Sequence, residues 1–339
     1  MGEKVLVTGG TGYVGGWAIV ALLERGYDVR TTVRSSGKEA VVRAAVASAV
    51  DPGDRLGFAH ADLLKDEGWD AAMDGIDFVL HVASPLGDER SRDAEALIAP
   101  ARDGALRVLG AAARAGVKRV VMTSAANAAS PASYAVEGVT DETLWTVDSP
   151  SLPAYRRSKT IAEKAAWDYM AANPGATELT TVLPGAVLGP VLTADNVGTA
   201  AIVQRMLRGT MPGAPRIGLE VVDVRDLVDL HLRAMTSPEA AGQRFLGTGP
   251  FIWMGDIAEV LHDRLGDAAA KVSTRVLPNL VVRLASVFDP SLRAITVSLG
   301  RRNRHSTAKA EQVLGWVPRP AEETVVDCAR SLIAHGASS

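Results

Sequence analysis

Short β-branched runs alternate with longer Ala-, Leu- and Arg-rich stretches through the first half of the chain. The short runs are KVLVT (4–8), DVRTTVR (28–34), LGFAHA (56–61), FVLHVA (78–83), RVVMTS (119–124) and LTTVLP (179–184), and each predicts a strand. Between them, apolar positions recur at helical spacing over 13–25, 37–49, 91–115 and 152–173. Strands that alternate with helices pair in parallel, because each helix returns the chain across a face of the sheet. Right-handed crossovers then give a doubly wound parallel α/β sheet.

The regularity ends after PGAVLGP (184–190). A further helical pattern at 194–208 leads into the loop RGTMPGAPRIG, and EVVDVRDLVDLHLRAM (220–235) reads as a strand and helix that rejoin the sheet. Residues 250–339 mix short helices and loops. The pattern divides the chain into a nucleotide-binding domain over 1–189, to which 216–248 returns, and a smaller α/β substrate lobe mainly over 190–339, with a cleft between them.

Bulk properties narrow the partners. A net charge of −3 gives no bulk attraction to nucleic acid or an anionic membrane. No run of about 18 apolar residues predicts a membrane span, and the KVLVTGG start predicts no signal peptide. Cys328 is the only cysteine, which rules out an intramolecular disulfide and fits a cytoplasmic protein. The six His show no pair at ligand spacing, so no metal is expected. A monomer or homodimer acting on a small molecule is the expectation.

The first strand–helix turn carries the strongest signal. VTGGTGYVGG places Gly9, Gly12 and Gly15 directly after a strand and at the opening of a helix. The first glycine permits the tight turn, the second lets backbone approach a pyrophosphate, and the third lets helix and strand pack closely. The helix N-terminus then faces the anion. At the end of the second strand, an NAD site usually offers an acid to the ribose hydroxyls. Here Arg34 stands in that place with Lys38 four residues on, a pairing suited to a 2′-phosphate, so NADPH is expected over NADH. The alternative is that both are ordinary solvated loop cations.

SLPAYRRSKTIAEKAAW opens a helix with Pro153 at its first turn and brings Tyr155 and Lys159 onto one face. A free phenol has a pKa near about 10 and is a poor acid–base catalyst at neutral pH. A nearby ammonium stabilises the phenolate, after which the pair can pass a proton to a carbonyl oxygen.

These motifs, with ASP (83–85), TSA (123–125), YRRSK (155–159) and PGAVLGP, resemble the extended short-chain dehydrogenase/reductases. ERGYDVRTTVRS, AYRRSKTIAEKAAW and AEQVLGWVPRP resemble in particular the branch of dihydroflavonol reductases, cinnamoyl-CoA reductases and microbial aldehyde or ketone reductases. The resemblance implies a Rossmann-like fold and a set of roles. Thr8, Gly9, Gly12, Tyr13, Val14 and Gly15 would hold the pyrophosphate, and Arg34 the 2′-phosphate. Asp62 and Leu63 would edge the adenine. Val82, Ala83 and Ser84 would line the path to the nicotinamide, which Pro184 and Val187 would seat. Tyr155 and Lys159 would be catalytic, with Lys159 also on the ribose.

The family commonly reads Thr-Ser-Ser-Ala where this chain reads Thr123-Ser124-Ala125-Ala126. Ala125 falls where the substrate-binding Ser is expected, and strand alternation turns Ser124 to the opposite face. Ser124 is the candidate for the missing hydroxyl; Thr123 or Asn127, or Tyr155 alone, are the alternatives. Asp223 and Asp226 read as helix-capping acids, and the basic cluster GRRNRH (300–305) as a solvated face.

The implied activity is NADPH-dependent reduction of an aldehyde or ketone to an alcohol. Two rivals share the pattern. One is a sugar-nucleotide epimerase, dehydratase or hydroxysteroid dehydrogenase on the same scaffold. The other is a dinucleotide-sensing regulatory protein with no chemistry.

Overall fold

The computed structural model describes residues 2–85, 94–133, 137–195, 197–287 and 296–336. The expected helices over 91–115 and 194–208 include residues 91–93 and 196, which lie outside the described ones. The strands are β1 (Lys4–Thr8), β2 (Asp28–Val33), β3 (Leu56–His60), β4 (Phe78–His81), β5 (Arg119–Thr123), β6 (Gly138–Thr140), β7 (Glu178–Pro184), β8 (Ala186–Leu188), β9 (Ala214–Pro215), β10 (Gly218–Asp223), β11 (Arg244–Gly247), β12 (Phe251–Trp253), β13 (Val276–Leu277) and β14 (Asn303–His305). The central sheet runs β11-β7-β5-β4-β1-β2-β3, and every neighbouring pair in it is parallel.

Strand β1 shows why this sheet forms. Val5, Leu6 and Val7 are all fully buried, as expected of a strand covered on both faces. Val5 and Val7 join a cluster with Ile19 and Leu22 of α1 (Tyr13–Glu24). Leu6 faces the other way, into a cluster with Met73 of α3 (Trp69–Met73), Val108 of α4 (Glu95–Ala115) and Ala162 of α5 (Ala154–Ala172). The period of two along the strand thus sorts its side chains between two helical layers. Helix α2 (Gly37–Ala47) adds Val42 and Val46 to the first layer.

The stretch 220–235 departs from expectation. Strand β10 does not rejoin the central sheet; it pairs in parallel with β8 and antiparallel with β12 in a separate three-stranded sheet. The place beside β7 is taken by β11, with Phe245 opposite Val182. The helix that follows, α7 (Val224–Thr236), does return, packing Leu227 and Leu230 into the same layer as α1. Asp223 caps it by accepting from the Arg225 N–H. Asp226 binds the Arg319 side chain, so both acids serve the fold.

A second apolar cluster lies beyond β7. It joins Val203 of α6 (Ala201–Leu207), Leu261 of α8 (Met254–Leu265), Val282 of α9 (Asn279–Ala285) and Leu332 of the helix Ala321–Ala334. Cys328 is buried in this cluster, which pushes its thiol up to about 12. Among the described residues, no helix is long and apolar enough to cross a membrane.

Candidate active site

A cavity of about 1060 Å³ lies where the carboxyl ends of the central strands meet the second apolar lobe. Its floor begins at the glycine loop. Gly9 has φ +76°, and a side chain there would press on Ala83; at Gly15 an added Cβ would sit 2.2 Å from the Gly9 carbonyl oxygen. Only glycine fits either place. The Gly12 N–H closes the turn on the Gly9 carbonyl at 2.8 Å, and α1 starts at the next residue with no side-chain cap and no acid in its first turn. That helix end is suited to a phosphate.

Gly9, Gly12, Tyr13, Val14 and Gly15 all line the cavity, but Thr8 does not. Its side chain is buried and bonded: Oγ1 lies 2.9 Å from His81 Nδ1 and accepts from the Ala83 N–H at 3.0 Å. Thr8 therefore ties β1 to β4 and its loop. Tyr13 presents its ring while its hydroxyl donates to the Gly189 carbonyl at 2.8 Å, and burial raises its pKa well above the usual range.

Arg34 and Lys38 line the cavity beyond β2. Among the described residues, no acidic side chain forms an ion pair with either. Asp62 and Leu63 follow β3 in the wall, with the Asp62 carboxylate accepting from the Leu64 N–H at 3.0 Å. Val82, Ala83 and Ser84 follow β4, and Pro184 and Val187 close the wall at β7 and β8. The cofactor residues expected from the sequence, Thr8 apart, thus share one continuous surface, and the bare helix end with two cations that meet no carboxylate among the described residues fits a phosphorylated dinucleotide.

Tyr155 and Lys159 line the cavity one helical turn apart at the start of α5. Lys159 is buried, which pushes its ammonium down to about 8; the Glu163 carboxylate, one turn further along, works in the opposite direction. His81 is pushed down to about 3, first by burial and then by the Lys159 charge, and is neutral.

The hydroxyls of the Thr-Ser pair are both committed to internal partners. Ser124 Oγ donates to Glu163 Oε2 at 2.6 Å. Glu163 also accepts from Thr181 Oγ1 and from Arg244 Nε, each at 2.8 Å. The Arg244 guanidinium stacks 3.5 Å from the centre of the Trp145 ring. Thr123 turns to the opposite layer, with Oγ1 2.8 Å from His231 Nε2. His231 Nδ1 lies 2.8 Å from the Leu227 carbonyl and must donate there, so Thr123 donates to Nε2. Ser124 borders the cavity, yet its proton is not directed at a substrate oxygen. Ala125 and Asn127 border it as well.

The lobe supplies residues that the sequence reading passed over. Leu219, Glu220, Phe251, Ser298, Arg301, Asn303 and His305 form the opposite wall. His305 accounts for both of its ring nitrogens: Nδ1 meets Glu220 Oε2, and Nε2 lies 2.8 Å from Ser130 Oγ. Ser130 gives its own proton to the Ala126 carbonyl at 2.8 Å. This chain of bonds fastens the lobe to the loop after β5. The one signal for it was GRRNRH, read as solvated; Arg301 and His305 instead face the cavity.

Comparison with known proteins places this geometry. The NAD dependent epimerase/dehydratase family matches residues 5–246. Cinnamoyl-CoA reductase 1 of Arabidopsis thaliana is 35% identical over 266 residues, covering 77% of this chain and 74% of that protein. Tetraketide alpha-pyrone reductase 1 of the same plant is 32% identical over 341 residues, covering 98% of this chain and 96% of that protein. Among solved structures, yeast methylglyoxal/isovaleraldehyde reductase Gre2 complexed with NADPH gives a TM-score of 0.82 at 24% identity, covering 99% of this chain and all of that one, a likeness of fold.

Proposed function

The chain belongs to the NAD dependent epimerase/dehydratase family, and we propose that within it the protein is an NADPH-dependent reductase that converts an aldehyde or ketone to an alcohol. The observation that carries this reading is Tyr155 and Lys159 on one turn of α5, facing a cavity whose far end holds Arg34 and Lys38. Reductase relatives that cover most of the chain support it.

NADPH, when bound, supplies the hydride. Gly9 to Gly15 and the α1 N-terminus hold the pyrophosphate, and Arg34 with Lys38 holds the 2′-phosphate. Tyr155 donates its phenolic proton to the substrate oxygen. Lys159, charged below about pH 8, stabilises the phenolate left behind. With Ser124 bonded to Glu163 and Thr123 to His231, Tyr155 is the group that orients that oxygen. The core, including α7 and β11, carries the cofactor, and residues 190–339 mainly shape the substrate side.

NADPH deuterated at the transferring C4 position tests the reading. The alcohol product should carry deuterium on its carbinol carbon in step with NADPH consumption. Product without deuterium, or tight NADPH binding with no carbonyl turned over, would remove the reductase reading in favour of a dinucleotide sensor.

A further inference from the structure

The basic segment after Gly300 is held in place. The Gly300 N–H donates to the Arg216 carbonyl at 2.7 Å, and β14 pairs with β6, setting Arg304 opposite Val139. Arg301 thereby reaches the cavity wall on the lobe side, together with Leu219 and Phe251. Arg34 follows β2, which β1, β4 and β5 separate from β7 and the Pro184 end of the cavity wall. The two cationic ends of the cavity are therefore distinct.

Arg301 belongs to a rim of arginines with Arg216 and Arg302, which lie over Trp253 and Phe251. Among the described residues, no carboxylate forms an ion pair with any of the three. Elsewhere Arg119, Arg157, Arg225 and Arg319 each pair with an Asp or Glu. Two acids that bond to this segment are engaged: Glu220 binds His305, and Glu137 accepts the Arg302 backbone N–H at 2.8 Å. The rim also has an aromatic floor. The Arg302 guanidinium lies 5.1 Å from the Phe251 ring, the Arg216 guanidinium 5.4 Å from the Trp253 ring, and the two rings meet edge to face at 4.9 Å. Phe251 itself lines the cavity.

Three guanidinium groups that meet no carboxylate among the described residues focus a positive potential at this mouth. Their planar forks suit carboxylate or phosphate oxygens. We propose that the substrate carries an anionic group, a carboxylate or a phosphate, at the end remote from its carbonyl, and that Arg301 receives it at the cavity wall while the remaining arginines of the rim supply the field. The proposal deepens the reductase reading and rests on it for the carbonyl.

The test compares 4-formylbenzoate, its methyl ester and 4-formylphenyl phosphate with the NADPH-loaded enzyme, native and Arg301→Gln. At low salt the native enzyme should prefer one of the two anions over the ester by about tenfold or more in kcat/KM, the worth of one charge-assisted hydrogen bond. The preference should lie in KM, weaken with added salt and collapse toward unity in Arg301→Gln. Whichever anion wins distinguishes a carboxylate from a phosphate substrate. An ester turned over as well as both anions would overturn the proposal and leave the reductase reading intact. If none is reduced, the reductase reading fails by itself. The anion site is then judged by calorimetry of 4-(hydroxymethyl)benzoate and 4-(hydroxymethyl)phenyl phosphate against the NADP⁺-loaded protein. Binding of either that Arg301→Gln weakens supports the site, and binding of neither, or binding indifferent to the substitution, refutes it.

Discussion

The two walls of the cavity satisfy their polar groups in opposite ways. On the core wall, Thr123 and Ser124 each point a hydroxyl at a buried partner, and Glu163 is held by Ser124, Thr181 and Arg244 together. On the lobe wall the Glu220–His305 contact is similarly closed, but Arg301 and the arginines around it have no carboxylate partner among the described residues. Burial explains the contrast. A polar group without water must be paired inside the protein, whereas a guanidinium at an open mouth can be left to solvent until a ligand arrives. The core wall is thus built to be rigid and the lobe wall to choose what enters.

The contrast breaks first, and most visibly, at Glu163. Removing this carboxylate by Glu163→Leu strands the Arg244 charge in the interior and should lower unfolding stability by about 3–5 kcal/mol in urea titrations. Arg301→Gln should change it by no more than about 0.5 kcal/mol. Equal effects would mean that the core network is not what stiffens that wall.

At the cofactor end, Arg34→Ala should raise the KM for NADPH by about tenfold to a hundredfold and leave NADH nearly unaffected, through loss of charge-assisted bonds to one phosphate. A parallel loss for both cofactors would show that Arg34 acts through the fold. A smaller change is expected at Ala125. Ala125→Ser restores the hydroxyl that the family resemblance places there, and since one oxyanion donor is typically worth about 10²–10³ in rate, a gain in kcat of about tenfold is expected from a site not otherwise adapted to it. No gain, with the fold intact by circular dichroism, would show that Tyr155 already satisfies the oxygen.

The mildest effect is on pH. Burial depresses Lys159 to about 8 in the folded protein, so its ammonium is present below that pH and lost above it. Carbonyl reduction should therefore hold level below about pH 8 and fall as pH rises through it, by about half at the midpoint. A profile still rising past pH 8 would separate Lys159 from the rate.

The sequence exposed the core wall more fully than the lobe wall, for physical reasons. Gly9 and Gly15 are legible because only glycine fits a left-handed turn or a 2.2 Å approach to a carbonyl, so the spacing itself reports the geometry. Tyr155 and Lys159 are legible because one helix carries both. Ser124 was harder. Strand alternation indicated that it turns away from position 125, but Glu163 as the receiver depends on how α5 packs, which no local pattern encodes. The β10 error has a similar origin: a buried apolar run announces a strand without naming its neighbour, and β11 took the edge beside β7. Arg301 and His305 were hidden most deeply, since a run of cations reads alike whether it faces open solvent or a cavity.

The central claim is that Tyr155 delivers the proton in an NADPH-driven carbonyl reduction. Its most direct test is the rate of NADPH consumption with an aldehyde substrate in native protein and Tyr155→Phe, with NADPH affinity measured on both. The account predicts steady turnover in the native protein, a fall of about 10²–10⁴-fold in the variant, and an unchanged dissociation constant for NADPH. Equal rates in the two proteins, at equal cofactor affinity, would contradict it.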